Sequence, residues 1–354
     1  MKNLIIGKIL GVYLLVVLSV MIITVAVGSA TTDKILEQSI RDEVRGEILR
    51  DPKIVSRLKD PQDLQGYIQI QIKERLKALS LDKPWWRPER LGKSLFNTLT
   101  FQFGKALFIR SNGGSSSVKE IILEVLPRTI ILFYPATFVT VIIGLSLGLY
   151  IGRRPGYLLD KFIRIGTVIS ASFPTWWIGM IAILLFSFQL REWTGGAFYL
   201  PARATPVISD PNFFTLAYHM ILPFSVLVLI SVAPWAYVVK SLVISISQEN
   251  FVLHAKAKGV PERSILFRHI LRTASPPIIL SILLSLNGAF SGAIITELVF
   301  DWPGMGRLFW EAISAFDWPV VLGLVYIYTL MFVSIMLVMD LIRGWLDPTQ
   351  RGGE

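Results

Sequence analysis

Few residues in this chain are equipped for chemistry, and those few do not gather. Gly144-Leu145-Ser146-Leu147-Gly148 has the G-x-S-x-G form of a hydrolase nucleophile. That form works when the serine sits on a sharp strand-to-helix turn with a base in reach. Here it falls inside an apolar run with no Asp or His nearby. Gly144, Gly148 and Gly152 are spaced four apart, which puts them on one helix face as a close-packing seam. Packing is therefore favoured over an intramembrane protease built on Ser146. There is no cysteine, and the three histidines are His219, His254 and His269. Thiol chemistry, disulfides and Cys-based metal sites are excluded, and no metal site is expected. No G-x-x-x-x-G-K-[ST] occurs, so the chain has no P-loop for ATP, and no H-E-x-x-H occurs either.

The densest patterning lies in Glu249–Pro277, a short basic stretch between two apolar runs. Phe251, Val252 and Ala255 share one helix face. Lys256 and Lys258 fall in the last turn of that helix, where cations suit the negative end of its dipole. Gly259 fits the left-handed position just past a helix end, where a side chain would clash. Pro261 fits the first turn of a second helix, where its missing N–H costs nothing, and Glu262 follows at the positive end. Ile265, Leu266 and Ile270 form an apolar strip beside Arg263, Arg268 and Arg272. Two short amphipathic helices set at an angle are expected, exposed to water and tethered to the membrane at both ends. Such a stretch is either a lever or a solvated loop whose charges only set topology.

The elements that hold these residues are read from hydropathy. Of 354 residues, 53% are hydrophobic and 17% charged, with mean hydropathy +0.58. That is too apolar for an ordinary soluble protein and points to a polytopic membrane protein. A net charge of +10 would suggest nucleic acid in a soluble chain. Here Lys and Arg cluster in short loops between apolar runs, which is the topology signature of a membrane protein. Membrane lipid is the expected surroundings, and nucleic acid is not an expected partner.

The first span is read within residues 1–30, over Ile9–Ala30, 22 residues without a charge. About 20 apolar residues cross the hydrocarbon core. A cleaved signal peptide is the rival, but its apolar core is usually shorter. The membrane core is read over 118–354, with spans at 129–151, 165–188, 216–239, 276–298 and 320–341. Pro174 interrupts the third span, and Ser170, Ser172 and Thr175 are placed to satisfy the carbonyl it frees or to line a pathway. Ser285, Asn287 and Ser291 make the fifth span the most polar, for helix packing or for lining a pathway. Glu124, Glu297 and Asp340 lie near span ends, and no ionisable residue sits mid-span. An ion-driven carrier is therefore disfavoured.

Residues 31–117 carry both charge signs and read as a helical, outside-facing insert between spans one and two. Ile35, Leu36, Ile40, Val44 and Ile48 share a face, with Thr32 and Asp33 as caps. Asp60-Pro61 breaks the pattern, and a second amphipathic run follows from Leu64 to Leu81. The insert is either a docking surface or a structural cap. Six spans put both termini on one side. The short loops after spans two and four carry four and six Lys/Arg; those after spans three and five carry two (Arg191, Arg203) and one (Arg307). That asymmetry makes both termini and the 240–275 loop cytoplasmic.

Ala255-Lys256-Ala257-Lys258-Gly259, then His269 and Pro276, resembles the cytoplasmic coupling loop of ABC-importer permeases. The branch it resembles is the oligopeptide/dipeptide (OppB/DppB-like) one. Leu253 and His254 stand where sugar-type permeases carry Glu-Ala. Phe300–Arg307, Asp317-Trp318-Pro319, Leu81–Trp85 and Asp347-Pro348 resemble other segments of the same family, which the chain matches from about Pro127 to Arg351. The resemblance implies an all-α polytopic type I importer permease of six transmembrane helices, with no cofactor of its own and no enzyme activity. Its implied partners are a second, homologous permease, two ABC ATPase subunits that bind ATP and Mg, and an extracellular substrate-binding protein. Glu249, Ala255, Lys256, Ala257, Lys258, Gly259, Glu262, Arg263 and His269 are implied to form the ATPase-coupling loop. Trp302, Pro303, Gly304, Gly306 and Asp317 belong to the outer loop, read as a gate, a docking lip or a structural plug. Peptides are the implied cargo, with oligosaccharides or nickel as alternatives. An ATP-independent carrier or channel is the reading from another class.

Overall fold

A computed structural model of the chain describes residues 2–50, 52, 54, 60–78, 84, 87–204, 212–291 and 293–346. Leu81–Lys83, Trp85, Trp86, Asp347 and Pro348 lie outside the described residues, as do the side chains of Asn287 and Ser291. Among the described residues the chain is helical, with one isolated bridge between Lys105 and Ser117. It divides into two compact units: Met1–Ile122 with Ala312–Leu330, and Leu123–Glu311 with Met331–Glu354.

In the first unit, α1 (Lys2–Arg50) is one continuous helix of 49 residues. The sequence reading ends a span at Ala30 and caps a new helix at Thr32 and Asp33; the helix instead runs straight through. Nothing between Gly28 and Arg50 breaks a helix, because Ser, Thr and Asp favour caps without forbidding interior positions. At 1.5 Å per residue α1 is about 74 Å long, more than twice the hydrocarbon core. Its far half packs on α2 (Pro61–Ala78), with Ile40, Val44 and Ile48 buried against Ile68 and Ile72. After α3 (Pro88–Leu99), residues 105–117 fold back through a turn at Gly114, where φ is +80°. Asp317 holds this segment, its carboxylate accepting the Phe108 and Ile109 N–H groups at 2.8 and 3.0 Å.

The second unit is built from longer apolar helices. α4 (Val118–Arg153) enters it at Leu123 and carries Pro127 and Pro135. α5 (Leu158–Ser172) and α6 (Thr175–Trp193) meet at a 102° bend. The sequence reading kinks a single third span at Pro174. The structure breaks it there, because Phe173 leaves the helix for an extended conformation before the proline. α7 (Phe213–Ser247) keeps Pro223 and Pro234 within one helix, and α8 (Asn250–Ala257) is short. α9 begins with Glu262–Ser264, passes through a π-turn at Ile265–Ile270 and continues as Leu271–Ser291 without leaving helical geometry. α10 (Ala293–Val299) follows in this unit, while α11 (Met305–Ser314) and α12 (Trp318–Leu346) are each shared with the first unit, to which Ala312–Leu330 belongs.

Four helices are long and apolar enough to cross a membrane, or five if the bent α5–α6 pair is one span, among the described residues. The α4–α7 seam explains the glycine spacing. A Cβ on Gly144, Gly148 or Gly152 would stand 2.6, 2.5 or 2.8 Å from the Cβ of Trp235, Val239 or Val243. Those distances leave no room for a methyl group. Ser146 is exposed on the other side of α4 and donates to the Ile142 carbonyl of its own helix.

Candidate functional site

The basic stretch forms an elbow between α7 and α9. α7 ends at Ser247, and α8 starts two residues on, with the Glu249 carbonyl accepting the first N–H groups. At its other end Gly259 N–H donates to the Lys256 carbonyl at 2.9 Å and Val260 N–H to the Ala255 carbonyl at 3.1 Å. This pair of bonds closes a helix over a left-handed residue, and Gly259 has φ +70°. Pro261 then sets the start of α9.

Two expectations change here. The second limb is not a separate short helix, because the span expected to start at Pro276 begins at Glu262. Pro276 is tolerated inside α9. It removes the N–H that would bond the Arg272 carbonyl, and the Ser275 hydroxyl donates there instead at 2.8 Å. Second, Phe251, Val252 and Ala255 do not share one face. Ala255 and Val252 are buried with Ile265, Leu266 and Ile270 against Val239 and Val243. Phe251, assigned to that face, points out and is 42% exposed.

What the elbow does present is a mixed surface. Phe251, Leu253 and Phe267 are exposed, the last at 51%, among exposed Lys256, Ala257, Lys258, Gly259, Arg263 and Arg268. His269 is half-buried, and the Glu249 side chain is exposed and makes no cap. Glu262 pairs with Arg153 at the end of α4, at 3.1 Å. Apolar side chains interleaved with cations suit an acidic-rimmed apolar cleft better than bulk water.

α7 also carries a buried charge that the sequence reading treats only as a topology marker. Lys240 donates to Asp160 Oδ1 on α5, and Asp160 is 1% exposed. The other carboxylate oxygen accepts from Gly156 N–H at 2.9 Å and from Arg164 at 3.1 Å. A lone acid in a basic loop and a lone lysine at a span end are a sequence signal for such a pair, though not for its burial.

A cavity of about 460 Å³ lies between α4, α5, α6, α7, α9 and α10. Thr137, Ser170, Ser231, Ser281, Ser285 and Thr296 are among its walls, and no ionisable residue lines it among the described residues. Ser170 donates to the Ile230 carbonyl at 2.7 Å, the acceptor that Pro234 leaves without a partner one turn on. The serine assigned to the break at Pro174 thus serves the neighbouring helix. Ser285 accepts from the Trp235 indole at 3.1 Å.

The outer-loop residues turn inward. Trp302 is 0% exposed and its indole N–H donates to the Arg128 carbonyl at 3.0 Å. Pro303, Gly304 and Gly306 are buried. Beneath them the Glu297 carboxylate, fully buried, accepts from Thr129 at 2.7 Å, Gly306 N–H at 2.7 Å and Arg307 N–H at 3.0 Å. Thr129 accepts from Met305 N–H at 2.8 Å. A Cβ on Gly304 would run into the Glu297 carboxylate. Sequence reasoning missed Glu297 as an anchor because a carboxylate near a span end also reads as a solvated terminus. Asp317 is equally buried but belongs to the other unit.

Residues 144–352 match the family described as binding-protein-dependent transport system inner membrane component. The chain is similar to the oligopeptide transport system permease protein AppB of Bacillus subtilis, 28% identical over 72% of this chain and 78% of that protein. It is similar to the probable D,D-dipeptide transport system permease protein DdpB of Escherichia coli, 30% identical over 72% of this chain and 80% of that protein. It is also similar to the di/tripeptide transport system permease protein DppB of Pseudomonas aeruginosa, 29% identical over 78% of this chain and 84% of that protein.

Proposed function

We propose a working cycle from one premise: this chain belongs to the family of binding-protein-dependent transport system inner membrane components. It is a multi-pass membrane permease, the transmembrane subunit of an ABC importer, and not itself an enzyme. In our reading it works beside a second, homologous permease. Two ATPase subunits hold ATP and Mg, and an extracellular binding protein delivers the cargo. The cargo is peptide, as the names of its relatives suggest. Six spans cross the membrane with both termini and the elbow in the cytoplasm, and the far half of α1 lies outside with α2.

The elbow is the coupling element. One observation carries this: exposed Phe267 lies among Arg263 and Arg268 on a limb that is continuous with α9, while exposed Phe251, Leu253, Lys256 and Lys258 lie on α8, the other limb. A push delivered to that limb therefore reaches the membrane helix without crossing a flexible joint. Lys258 and Arg263 meet polar groups of the ATPase, and Gly259 sets the angle between the limbs. The ATPase pair closes on ATP, the elbow follows, and the helices around the hydroxyl-lined cavity change the side to which it opens. The uncharged wall gives a passing peptide hydrogen-bond partners without an ionic trap.

The test is Gly259→Pro in the assembled complex, assayed for uptake and for hydrolysis stimulated by loaded binding protein. Proline cannot adopt the +70° backbone of this position. Uptake and stimulated hydrolysis should both fall at least tenfold while the complex still assembles. Unchanged values for both would remove the elbow from the mechanism.

A further inference from the structure

The buried pair Asp160–Lys240 is not accounted for by the elbow or by the cavity. It lies where four segments of the second unit converge. Lys240 stands on α7 between Val239 and Val243, which pack against the elbow's buried residues. The α4 seam is at the same level, since a Cβ on Gly152 would stand 3.5 Å from the Lys240 Cα. Asp160 occupies the first turn of α5, and its carboxylate reaches back to the Gly156 N–H. Gly156 has φ +88°, so the turn that launches α5 is shaped around this acid. Further along, α5 approaches α7 again, where a Cβ on Gly166 would meet Ala233 at 3.0 Å and Ser170 holds the Ile230 carbonyl. The helix then ends at the 102° bend beside the cavity.

A surface ion pair at this position would add little. This one has Asp160 at 1% and the Lys240 side chain at 10% exposure. Separating such charges without water leaves Lys240 without a counter-charge and Asp160 with only the exposed Arg164 and the Gly156 N–H, so the pair resists being pulled apart even where it adds little net stability. An apolar contact would let α5 slide on α7; a buried ion pair with a defined geometry does not.

We propose that Asp160 and Lys240 are positioning residues that clamp the first turn of α5 to α7, so that α5 and its bend follow the elbow as one body. The inference rests on the reading of the elbow as the coupling element. When the elbow moves, α7 carries Lys240, Lys240 carries Asp160, and the cavity wall at Ser170 moves with it. Arg164 shares the carboxylate from the exposed side and does not replace Lys240, because it reaches the other oxygen.

The chain has no cysteine, so in complexes whose other subunits carry no reactive cysteine an introduced pair reports only itself. Phe162→Cys on α5 and Ser241→Cys on α7 are both at exposed positions. Spin labels there, in the assembled complex reconstituted in lipid, should give one distance that is the same without nucleotide and with ATP trapped. With Lys240→Met added, the distance should broaden or shift between the two states. A distance that changes with nucleotide in the clamped protein overturns the proposal, and this measurement needs no destabilising variant.

The functional readout is peptide taken up per ATP hydrolysed. Asp160→Asn and Lys240→Met should lower that ratio at least fivefold in complexes that still hydrolyse ATP, and Lys240→Arg should restore most of it. If uptake and hydrolysis instead fall together in proportion to the amount of complex, the pair is only structural and the proposal fails. If the unsubstituted complex takes up peptide without ATP, the ATP-driven reading fails, while the label distances still report on the clamp.

Discussion

The elbow (248–272) and the knot at 297–307 are written with the same kinds of residue and end up as opposites. Each is a connection between helices, each carries a Gly near a Pro, and each includes aromatic and basic side chains. The elbow turns its aromatics out and keeps only its aliphatic strip inside. The knot buries Trp302 completely and closes over a carboxylate with three donors. Turn chemistry fixes the path of the backbone in both. What differs is whether a buried polar anchor lies beneath the turn. Among the described residues the elbow has none and presents a surface; the knot has Glu297 and buries its turn.

The largest effect expected from this contrast is at Trp302. Trp302→Ala removes a fully buried indole and should cost about 3–5 kcal/mol, seen as a large drop in melting temperature in detergent. A shift of only a degree or two would mean the knot is not a packed element. Next is Glu297→Ala, which leaves Thr129 and two backbone N–H groups buried without their acceptor. A loss of about 3 kcal/mol or more is expected by the same measurement. A neutral outcome would remove the anchor that separates the two regions.

Gly259→Ala tests the elbow's backbone. Placing a side chain at φ +70° should cost about 1–2 kcal/mol and lower uptake more than it lowers the amount of protein in the membrane. Phe267→Ala should change stability by no more than about 0.5 kcal/mol, since half the side chain is already in solvent. It should nevertheless weaken retention of the ATPase subunits on an affinity column. A stability loss without loss of retention would make Phe267 a core residue and erase the contrast. The smallest effect is at Arg153→Ala, which breaks an exposed pair with Glu262 and should cost under about 1 kcal/mol.

Much of this was legible beforehand for a local reason. The left-handed Gly259, the start after Pro261, the buried strip of Ile265, Leu266 and Ile270 and the glycine seam of α4 each depend on neighbours three or four residues away. Other features were misread where local rules permit two outcomes. Thr32 and Asp33 sit inside α1 because capping residues do not stop a helix that has no competing turn. Pro276 sits inside α9 because Ser275 takes over the carbonyl it orphans, whereas Pro174 coincides with a real break. Phe251 points away from Val252 and Ala255 because a helix of two turns allows more than one choice of buried face.

By itself, then, the order of residues determined that this is a helical membrane protein with a hinged basic loop, because hydrophobic run length and the Gly and Pro positions act within a few residues. Only the tertiary structure decided that Lys240 meets Asp160 across 80 residues. The same holds for Glu297 holding Thr129 across 168 and for Ser170 serving a carbonyl on α7. Those pairings depend on which helix faces lie together. A polar group withdrawn from water must find whatever partner the packing brings to it, however far away in the chain that partner lies.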